Sequence, residues 1–518
     1  MRRRRLLALL PCLLSLLAPG ALADNDTLRR NVEAIIDAPE YRGARWGVLI
    51  AEQESGKVLY ERSADQLFTP ASTTKLYSVA AALDALGAGY RFQTPVYRRG
   101  DVVDGSLRGD LIFVASGDPT LGGRTDPDGH LAFSNTDHIY AGFNSPAVLT
   151  TPDPLAGLND LARQVAASGI RRVEGDVVID SRLFEPADSS GSGPRRVSPV
   201  MVNDNLIDFT LRPTDPGKPA EVDWRPRCSA LHVDAQVTTG PTGSTSSVRI
   251  SSPALGRIVI RGSLPAGADP LVTVREVDDA AAWARALFIE ALARAGVRVE
   301  ASPLDQNPTD ALPPSSAVPD LPRVALHTSA PFSENAKLVL KVSHNLHASE
   351  LPLLVAVKHG KRNLTDGLRL ERDFLKRAGV DVDGISFGGG AGGSGSDLTS
   401  PRATVQLLRH MAGRPDFPVY EAALPILGMD GTLATVVGAN SPARGKVRAK
   451  TGTLVAPNPL NGTRVLTSKA LAGYMTTRSG KHLVISLVVN NRMLTDADGI
   501  NHEGRALGHL CEVIHDAE

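Results

Sequence analysis

Two residues three positions apart, Ser72 and Lys75, have the types and spacing of a nucleophile and its base. A serine hydroxyl is a weak nucleophile at neutral pH and needs a neighbouring base. Positions i and i+3 lie on one face of a helix, so Lys75 can reach the Ser72 oxygen. A lysine with an ordinary pKa of about 10.4 serves as a base only where burial or a nearby cation lowers that value. The pair predicts nucleophilic catalysis, although Ser72 taken alone fits a plain helix N-cap better.

Two later motifs strengthen the prediction, Ser343-His-Asn345 and Lys450-Thr-Gly452. Together with S-x-x-K they form the motif set of serine β-lactamases and penicillin-binding proteins. Residues 333–335 also fit S-x-N, so the joint order of the motifs carries the prediction and no single one does. Lys450 ends a strand-like run, where a lysine can bind a substrate carboxylate while the strand pairs with a peptide. Lys450 is also a candidate for the cation that lowers the pKa of Lys75.

The elements that must position these motifs can be read from hydrophobic patterning. Residues 46–51 and 57–61 predict a β-hairpin, and apolar residues at helical spacing predict a helix from Ser72 to a glycine C-cap at Gly87. Helices are also predicted at 334–341, 404–411 and 499–515, and strands at 446–450, 469–474 and 482–490. Strands at both ends of the chain, with helices between them, predict an α+β catalytic domain whose antiparallel sheet joins the termini.

The chain is long enough for several domains. Residues 1–23 predict a secretory signal peptide, because four arginines precede an apolar run and an A-x-A cleavage site. Residues 24–92 and 304–518 are assigned to the catalytic domain, and a proline-rich linker begins at 303. Residues 93–303 predict a mostly β insertion of two subdomains, with one helix at 286–295 ended by a glycine.

Composition excludes some classes of protein. The chain has 56 basic and 56 acidic residues, so it lacks the basic balance that nucleic-acid binding requires. No apolar run is long enough to span a bilayer, so we expect a periplasmic or cell-envelope location with at most peripheral membrane association. Cys228 and Cys511 follow the signal peptide, and their spacing leaves open whether they form a disulfide or remain thiols.

With these motifs, the chain resembles the low-molecular-mass penicillin-binding proteins of the DacB type, which are D-alanyl-D-alanine carboxypeptidase/endopeptidases of the peptidase S13 family. The resemblance covers nearly the whole mature chain and includes stretches of the insertion. Outside the three motifs it rests on residues 70–76, 109–111, 116–121, 175–180, 202–205 and 430–433. It implies a β-lactamase/transpeptidase-like catalytic domain, peptidoglycan stem peptides as substrates and inhibition by β-lactams, with no cofactor.

The resemblance also implies a role for each matching residue. Ser72 would be acylated by the penultimate D-Ala carbonyl, with Lys75 as its base. Ser343 would relay the proton to the leaving amine, and Asn345 would hold Lys75 and the substrate amide. The remaining residues would bind the substrate. Lys450 and Thr451 would bind its carboxylate, Gly452 would permit close approach, and the amides of Ser72 and Thr453 would bind the oxyanion. The substrate side chain would lie near Asp180 and Phe184, which match the family loosely.

The chain departs from the family pattern in three places. Residues 389–401 lack the aspartate and arginine of the usual Asp-Gly-Ser-Gly-Leu-Ser-Arg segment, which leaves the preferred diamino acid open. Residues 455–468 form an extra stretch where two strands are usually joined tightly. The middle residue of S-x-N is His344; with His347 it makes a pair that, lacking a third ligand, is typical of ordinary helix residues and not of a metal site.

Two alternative functions remain. A β-lactamase is disfavoured by the long separation of Lys75 from Ser343 and by the absence of an asparagine after Glu350. A non-catalytic cell-wall binding protein is disfavoured by the intact motifs, although the altered segments favour it weakly. The sequence does not decide whether the enzyme cuts crosslinks or only stem-peptide ends, nor its oligomeric state.

Overall fold

The computed structural model describes residues 19–142, 146–494 and 499–518. Residues 1–18 of the predicted signal peptide therefore lie outside the described part of the chain. Ten helices are present in this part of the chain: α1 (Pro19–Ile36), α2 (Lys75–Leu86), α3 (Ala156–Ala167), α4 (Ala280–Arg294), α5 (Phe332–Lys341), α6 (Asn345–Lys358), α7 (Leu364–Arg377), α8 (Pro401–Ala412), α9 (Phe417–Ala422) and α10 (Gly499–Ala517). None of the helices in these ranges is both long and apolar enough to cross a membrane.

The same ranges contain twenty-one strands, most of them short. The first eleven are β1 (Arg45–Glu52), β2 (Val58–Arg62), β3 (Gln93–Val103), β4 (Ser106–Val114), β5 (Arg172–Val173), β6 (Val177–Asp180), β7 (Ala187–Asp188), β8 (Arg196–Val197), β9 (Leu206–Arg212), β10 (Glu221–Arg225) and β11 (His232–Gly240). The others are β12 (Arg249–Ala254), β13 (Arg257–Pro265), β14 (Leu271–Glu276), β15 (Arg298–Val299), β16 (Arg323–Thr328), β17 (Ile385–Ser386), β18 (Leu398–Thr399), β19 (Val447–Asn458), β20 (Thr463–Thr476) and β21 (His482–Leu494).

A five-stranded antiparallel sheet joins the two ends of the chain in the order β19-β20-β21-β1-β2. Successive residues of β1 alternate between its two faces, as the strand period of two requires. Val48 and Ile50 pack with α1 and α10 on one face, and Leu49 and Ala51 pack with the helices of the other. This arrangement confirms the predicted α+β fold class.

Helix α2 lies in the centre of the helical layer, against α5, α6 and α7. Nine consecutive residues, from Lys75 to Leu83, are buried. A helix buried on all sides is held rigidly by its neighbours, because every rotation would break packing contacts. Lys75, in the first turn of α2, is thereby fixed relative to the sheet.

The inserted region has its own hydrophobic core. A six-stranded sheet holds β15, β5, β4, β3 and β16 in that order, with β6 paired to β4, and α3 and α4 pack beside it. Two three-stranded sheets follow, β10-β9-β14 and β11-β13-β12. Helix α3 was not predicted, although its buried residues Leu158, Leu161 and Val165 recur at helical spacing.

The strand pairing does not place the end of the inserted region at residue 303, where the sequence predicts it. The proline-rich segment contains short 3₁₀ turns at Thr309–Ala311 and Ser315–Asp320. Strand β16 then returns to the sheet of the insertion, where Thr328 pairs with Gln93 of β3. By strand pairing the inserted region therefore ends after Thr328, because the prolines interrupt the chain without separating it from that sheet. Cys228 and Cys511 are both buried free thiols.

Candidate active site

Ser72 lies in a 3₁₀ turn, Ala71–Thr74, that leads directly into α2. The helix had been predicted to begin at Ser72, but regular α-helix begins at Lys75. Residues i and i+3 eclipse each other in a 3₁₀ turn, so the predicted proximity survives the change. Lys75 Nζ lies 2.8 Å from Ser72 Oγ. The serine side chain lines an open cleft, whereas Lys75 is fully buried beneath it.

The surroundings of Lys75 favour the neutral amine. Burial lowers its pKa from 10.5 to about 7, against the opposing charge of Asp397. Its Nζ atom also lies 2.7 Å from Asn345 Oδ1 and 2.7 Å from the carbonyl oxygen of Ala391. Both of these atoms accept hydrogen bonds only. A neutral amine has two N–H groups and one lone pair, so donation to the two oxygens leaves its lone pair for the Ser72 hydroxyl proton.

The S-x-N residues form a tight turn before α6. Ser343 is 5 % exposed and has a φ of 62°, and Asn345 is the first residue of the helix. Two residues of the insertion, which the sequence reasoning missed, hold this turn. The Tyr140 hydroxyl donates to the Ser343 carbonyl oxygen at 2.7 Å, and Asn345 Nδ2 donates to Ser192 Oγ at 2.9 Å.

Strand β19 brings the K-T-G residues beside the Ser72 turn. A side chain at Gly452 would lie 2.5 Å from the carbonyl oxygen of Pro70, so the absence of one permits this close contact. Thr451 and Thr453 line the cleft. Lys450 is fully buried, and its Nζ donates to the Thr451 carbonyl oxygen at 2.7 Å. Burial, followed by the charges of Lys75 and Lys469, lowers the pKa of Lys450 well below its usual value.

Lys469 is a second cleft lysine that the sequence reasoning missed. It lies on β20 directly opposite Thr453 of β19, and its Nζ donates to Thr453 Oγ1 at 3.0 Å. Burial lowers its pKa to about 8, and Glu503 acts in the opposite direction. The pairing of β19 with β20 could have indicated this residue, because cross-strand neighbours share one face of a sheet.

The cleft has a volume of about 950 Å³. Five predicted site residues line it together with Tyr140, Ser192 and Lys469: Ser72, Ser343, Asn345, Thr451 and Thr453. The extra stretch 455–468 extends β19 and β20 into a long hairpin, and Val455, Ala456, Pro457 and Arg464 form one wall. The glycine-rich segment contributes residues 391–393 to the lining.

Asp180 and Phe184 are not among the lining residues within the described part of the chain. Asp180 is buried and forms a salt bridge of 2.7 Å with Arg182. Phe184 is buried in the hydrophobic core of the helical layer. Neither side chain therefore contributes to the lining of the cleft in the described part of the chain.

His344 and His347 are not the ordinary helix residues that the sequence predicted. His344 precedes α6, where its Nδ1 accepts a hydrogen bond from the His347 amide at 3.4 Å. Both histidines lie close enough to Asp204 to share a metal ion with it. Arg124, however, already binds Asp204 at 2.7 Å. Because its guanidinium is always charged, it would repel a metal cation at this position.

The fold and the cleft agree with comparisons to known proteins. The profile of the D-Ala-D-Ala carboxypeptidase 3 (S13) family matches residues 28–508. The chain belongs to this family. Membership confirms the predicted resemblance and the predicted enzyme class, a D-Ala-D-Ala carboxypeptidase.

Individual relatives cover most of the chain. A D-alanyl-D-alanine carboxypeptidase of Actinomadura sp. (strain R39) is 31 % identical, over 89 % of this chain and 84 % of the relative. The carboxypeptidase DacB of Haemophilus influenzae is 22 % identical over 88 % and 87 %. The crystal structure of penicillin binding protein 4 (dacB) from the same organism superposes with a TM-score of 0.69 at 21 % identity, covering 92 % of this chain and 98 % of that one. These similarities support one fold over nearly the full length.

Proposed function

We propose that this S13 family member is an exported serine enzyme that cuts the D-Ala-D-Ala bond of peptidoglycan peptides through an acyl-enzyme at Ser72. The observation that carries the proposal is the contact between Ser72 and a buried lysine. Lys75 lies 2.8 Å from the serine oxygen, and its pKa is lowered to about 7. A base with a pKa near the working pH is best suited to accept the serine proton.

The proposed reaction assigns a step to each group around the cleft. Ser72 Oγ attacks the penultimate D-Ala carbonyl as its proton moves to Lys75, and the amides of Ser72 and Thr453 bind the oxyanion. The proton passes through Ser343 to the amide nitrogen, the C–N bond breaks, and the C-terminal residue leaves as free D-Ala. Asn345 orients Lys75 through its Oδ1 atom. Water then hydrolyses the ester and regenerates Ser72.

The substrate carboxylate is proposed to bind at Thr451 and Thr453, beside two lysines of different burial. Lys450 is fully buried, whereas Lys469 is partly exposed in the cleft. Lys450 therefore acts on the carboxylate indirectly, because it holds the backbone of β19 beside Thr451. Lys469 is the cation that can contact the carboxylate directly.

Substitution of Lys469 by methionine is expected to raise KM for a D-Ala-D-Ala peptide about tenfold, since a hydrogen bond to a charged group is worth roughly 1.5 kcal/mol. The kcat should change little. Lys469 is charged below about pH 8 and neutral above it, so the wild-type KM should rise above pH 8 and the variant KM should not. A peptide with an amidated C-terminus is the matched control, because it lacks the carboxylate and its KM should depend neither on the substitution nor on pH around 8. An unchanged KM for the carboxylate peptide would contradict this role.

The proposed activity is tested by incubating the protein with a peptide ending in D-Ala-D-Ala and with its stereoisomer ending in L-Ala-L-Ala. Release of D-Ala from the first peptide alone is the expected result. A crosslinked muropeptide dimer tests endopeptidase activity in the same assay, and excess penicillin tests β-lactam inhibition. Absence of D-Ala release together with absence of a penicillin adduct would favour a non-catalytic binding protein. Rapid consumption of penicillin would indicate a β-lactamase.

Export is proposed from the N-terminal sequence. Arginines 2–5, the apolar run and the A-x-A sequence before Asp24 predict translocation followed by cleavage. An exported location would bring the enzyme to its peptidoglycan substrate. N-terminal sequencing of protein recovered from the cell envelope tests the predicted start at Asp24.

A further inference from the structure

The S-x-N turn has a backbone conformation that needs external support. Ser343 has a φ of 62°, in the left-handed region that residues with a side chain rarely adopt. Such a conformation is unfavourable and persists only where surrounding contacts fix it. The groups that hold this turn therefore determine where the Ser343 hydroxyl and the Asn345 amide lie.

Three separate segments of the inserted region reach the turn. Tyr140 and Ser192 hold Ser343 and Asn345 through the hydrogen bonds described above. The third segment contributes Asp204, whose Oδ1 lies 2.6 Å from His347 Nε2 in the first turn of α6. Each residue around the turn is therefore tied to the insertion and not only to its own domain.

Asp204 is itself fixed by charged neighbours within the insertion. Its Oδ2 accepts from Arg124 at 2.7 Å and lies 2.7 Å from His138 Nε2. Arg124 also binds Asp137, and His138 binds Asp208, which in turn accepts from Arg225. The charge of Arg124 holds the pKa of Asp204 well below its usual value despite burial. The carboxylate is therefore an ionised acceptor at neutral pH, with Arg124 and His138 against its second oxygen.

The two histidines transmit this fixed position to the turn. His347 donates from Nε2 to Asp204, while its Nδ1 lies 3.3 Å from the Asn335 amide nitrogen as an acceptor. The His344 ring stacks on the His347 ring, with centroids 3.7 Å apart. His344 Nε2 is buried without a hydrogen-bond partner among the described residues and lies 3.5 Å from Asp204 Oδ2. His344, the residue between Ser343 and Asn345, is thus held between the His347 ring and Asp204 of the insertion.

We propose that Asp204 is a positioning residue of the active site, which acts through His347 and His344 to hold Ser343 and Asn345 for catalysis. The inserted region then completes the catalytic machinery and is more than an accessory to it. This inference rests on the proposed function, since it assigns a source to the geometry of the proton-relay serine.

The test compares Asp204→Asn with Asp176→Asn. Asp176 forms an ion pair with the buried Arg285, 2.5 Å apart, within the insertion and without contact to the S-x-N turn, although the Asp176 side chain itself is 25 % exposed. Both substitutions remove a carboxylate from a buried cation, so both should lower the melting temperature. Only Asp204→Asn should lower kcat for D-Ala release and the rate of penicillin acylation, by on the order of 10- to 100-fold, with KM little changed.

A double-substitution cycle separates positioning from general destabilisation. If Asp204 acts through His347, the Asp204→Asn/His347→Phe protein should be no slower than the slower single variant. The phenylalanine keeps a ring against His344 but cannot bind Asp204, so His347→Phe also provides the comparison if Asp204→Asn does not fold. Equal losses of kcat in the Asp204 and Asp176 variants would overturn the inference, as would additive effects in the cycle. A wild-type protein without D-Ala release or a penicillin adduct would instead refute the proposed function itself.

Discussion

Substitution of Ser72 by alanine is expected to abolish the covalent penicillin adduct and to lower kcat for D-Ala release by on the order of 10⁴- to 10⁶-fold. The cause is chemical, because alanine has no oxygen that can form an ester with the substrate carbonyl. Lys75 remains in the variant, but water would have to replace the serine as nucleophile without the positioning that the 3₁₀ turn provides. Substrate binding should persist, since Thr451, Thr453 and Lys469 are unchanged.

Intact-protein mass spectrometry after incubation with excess penicillin measures this effect directly. The wild-type protein should carry one lasting adduct per chain, and the Ser72→Ala protein should carry none. Ser333→Ala is the matched control, because Ser333 begins the second S-x-N sequence of the chain but lies at the start of α5. It should leave the adduct intact. An adduct on the Ser72→Ala protein would place the nucleophile elsewhere.

Substitution of Lys75 by methionine should have the second largest effect, a loss of kcat of on the order of 10³-fold or more, within the range of a general base and the orientation it supplies. Methionine fills a similar volume and tolerates burial, so the protein should still fold. It cannot accept the Ser72 proton. The bonds to Asn345 and Ala391 would also be lost, which removes an anchor of the cleft floor.

The pH profile provides an independent check on Lys75. The proposed mechanism requires its neutral form, so the wild-type acylation rate should rise with pH through about 7 and then level off. The Lys75→Met protein should lose this rise, whereas Lys469→Met should keep it and lose only the KM increase above pH 8. Rates followed with a chromogenic penicillin on both sides of pH 7 test the assignment. A rise that persists without Lys75 would assign the titration to another group.

Local sequence patterns predicted the framework of the site. The hairpin at 46–61, the helix after Ser72 and the three late strands all follow from side-chain periodicity, which depends on neighbours in the sequence. The S-x-x-K pair was predicted for the same reason, since both residues lie within one turn. The order of the three motifs and the resemblance then supplied the family, which the comparisons confirm.

The contacts missed from the sequence join residues that are far apart in the chain. Tyr140, Ser192 and Asp204 meet the S-x-N turn only after the insertion has folded against α6. Lys469 becomes a cleft residue through the pairing of β19 with β20. Ser343 adopts a left-handed backbone conformation, which a serine in the sequence does not indicate as a glycine would. Similarly, the return of β16 to the edge of β3 depends on strand pairing, which proline content does not predict.

The five-stranded sheet has a consequence for the timing of activity in the cell. Its strands β1 and β2 are synthesised first and β19 to β21 last, with the whole insertion between them. Ser72 therefore leaves the ribosome long before the strand that is to lie beside it. A chain that is still being synthesised lacks this strand, so Ser72 cannot yet face the cleft that β19 completes. Hydrolytic activity would begin only after release, when the final strands have paired with the first.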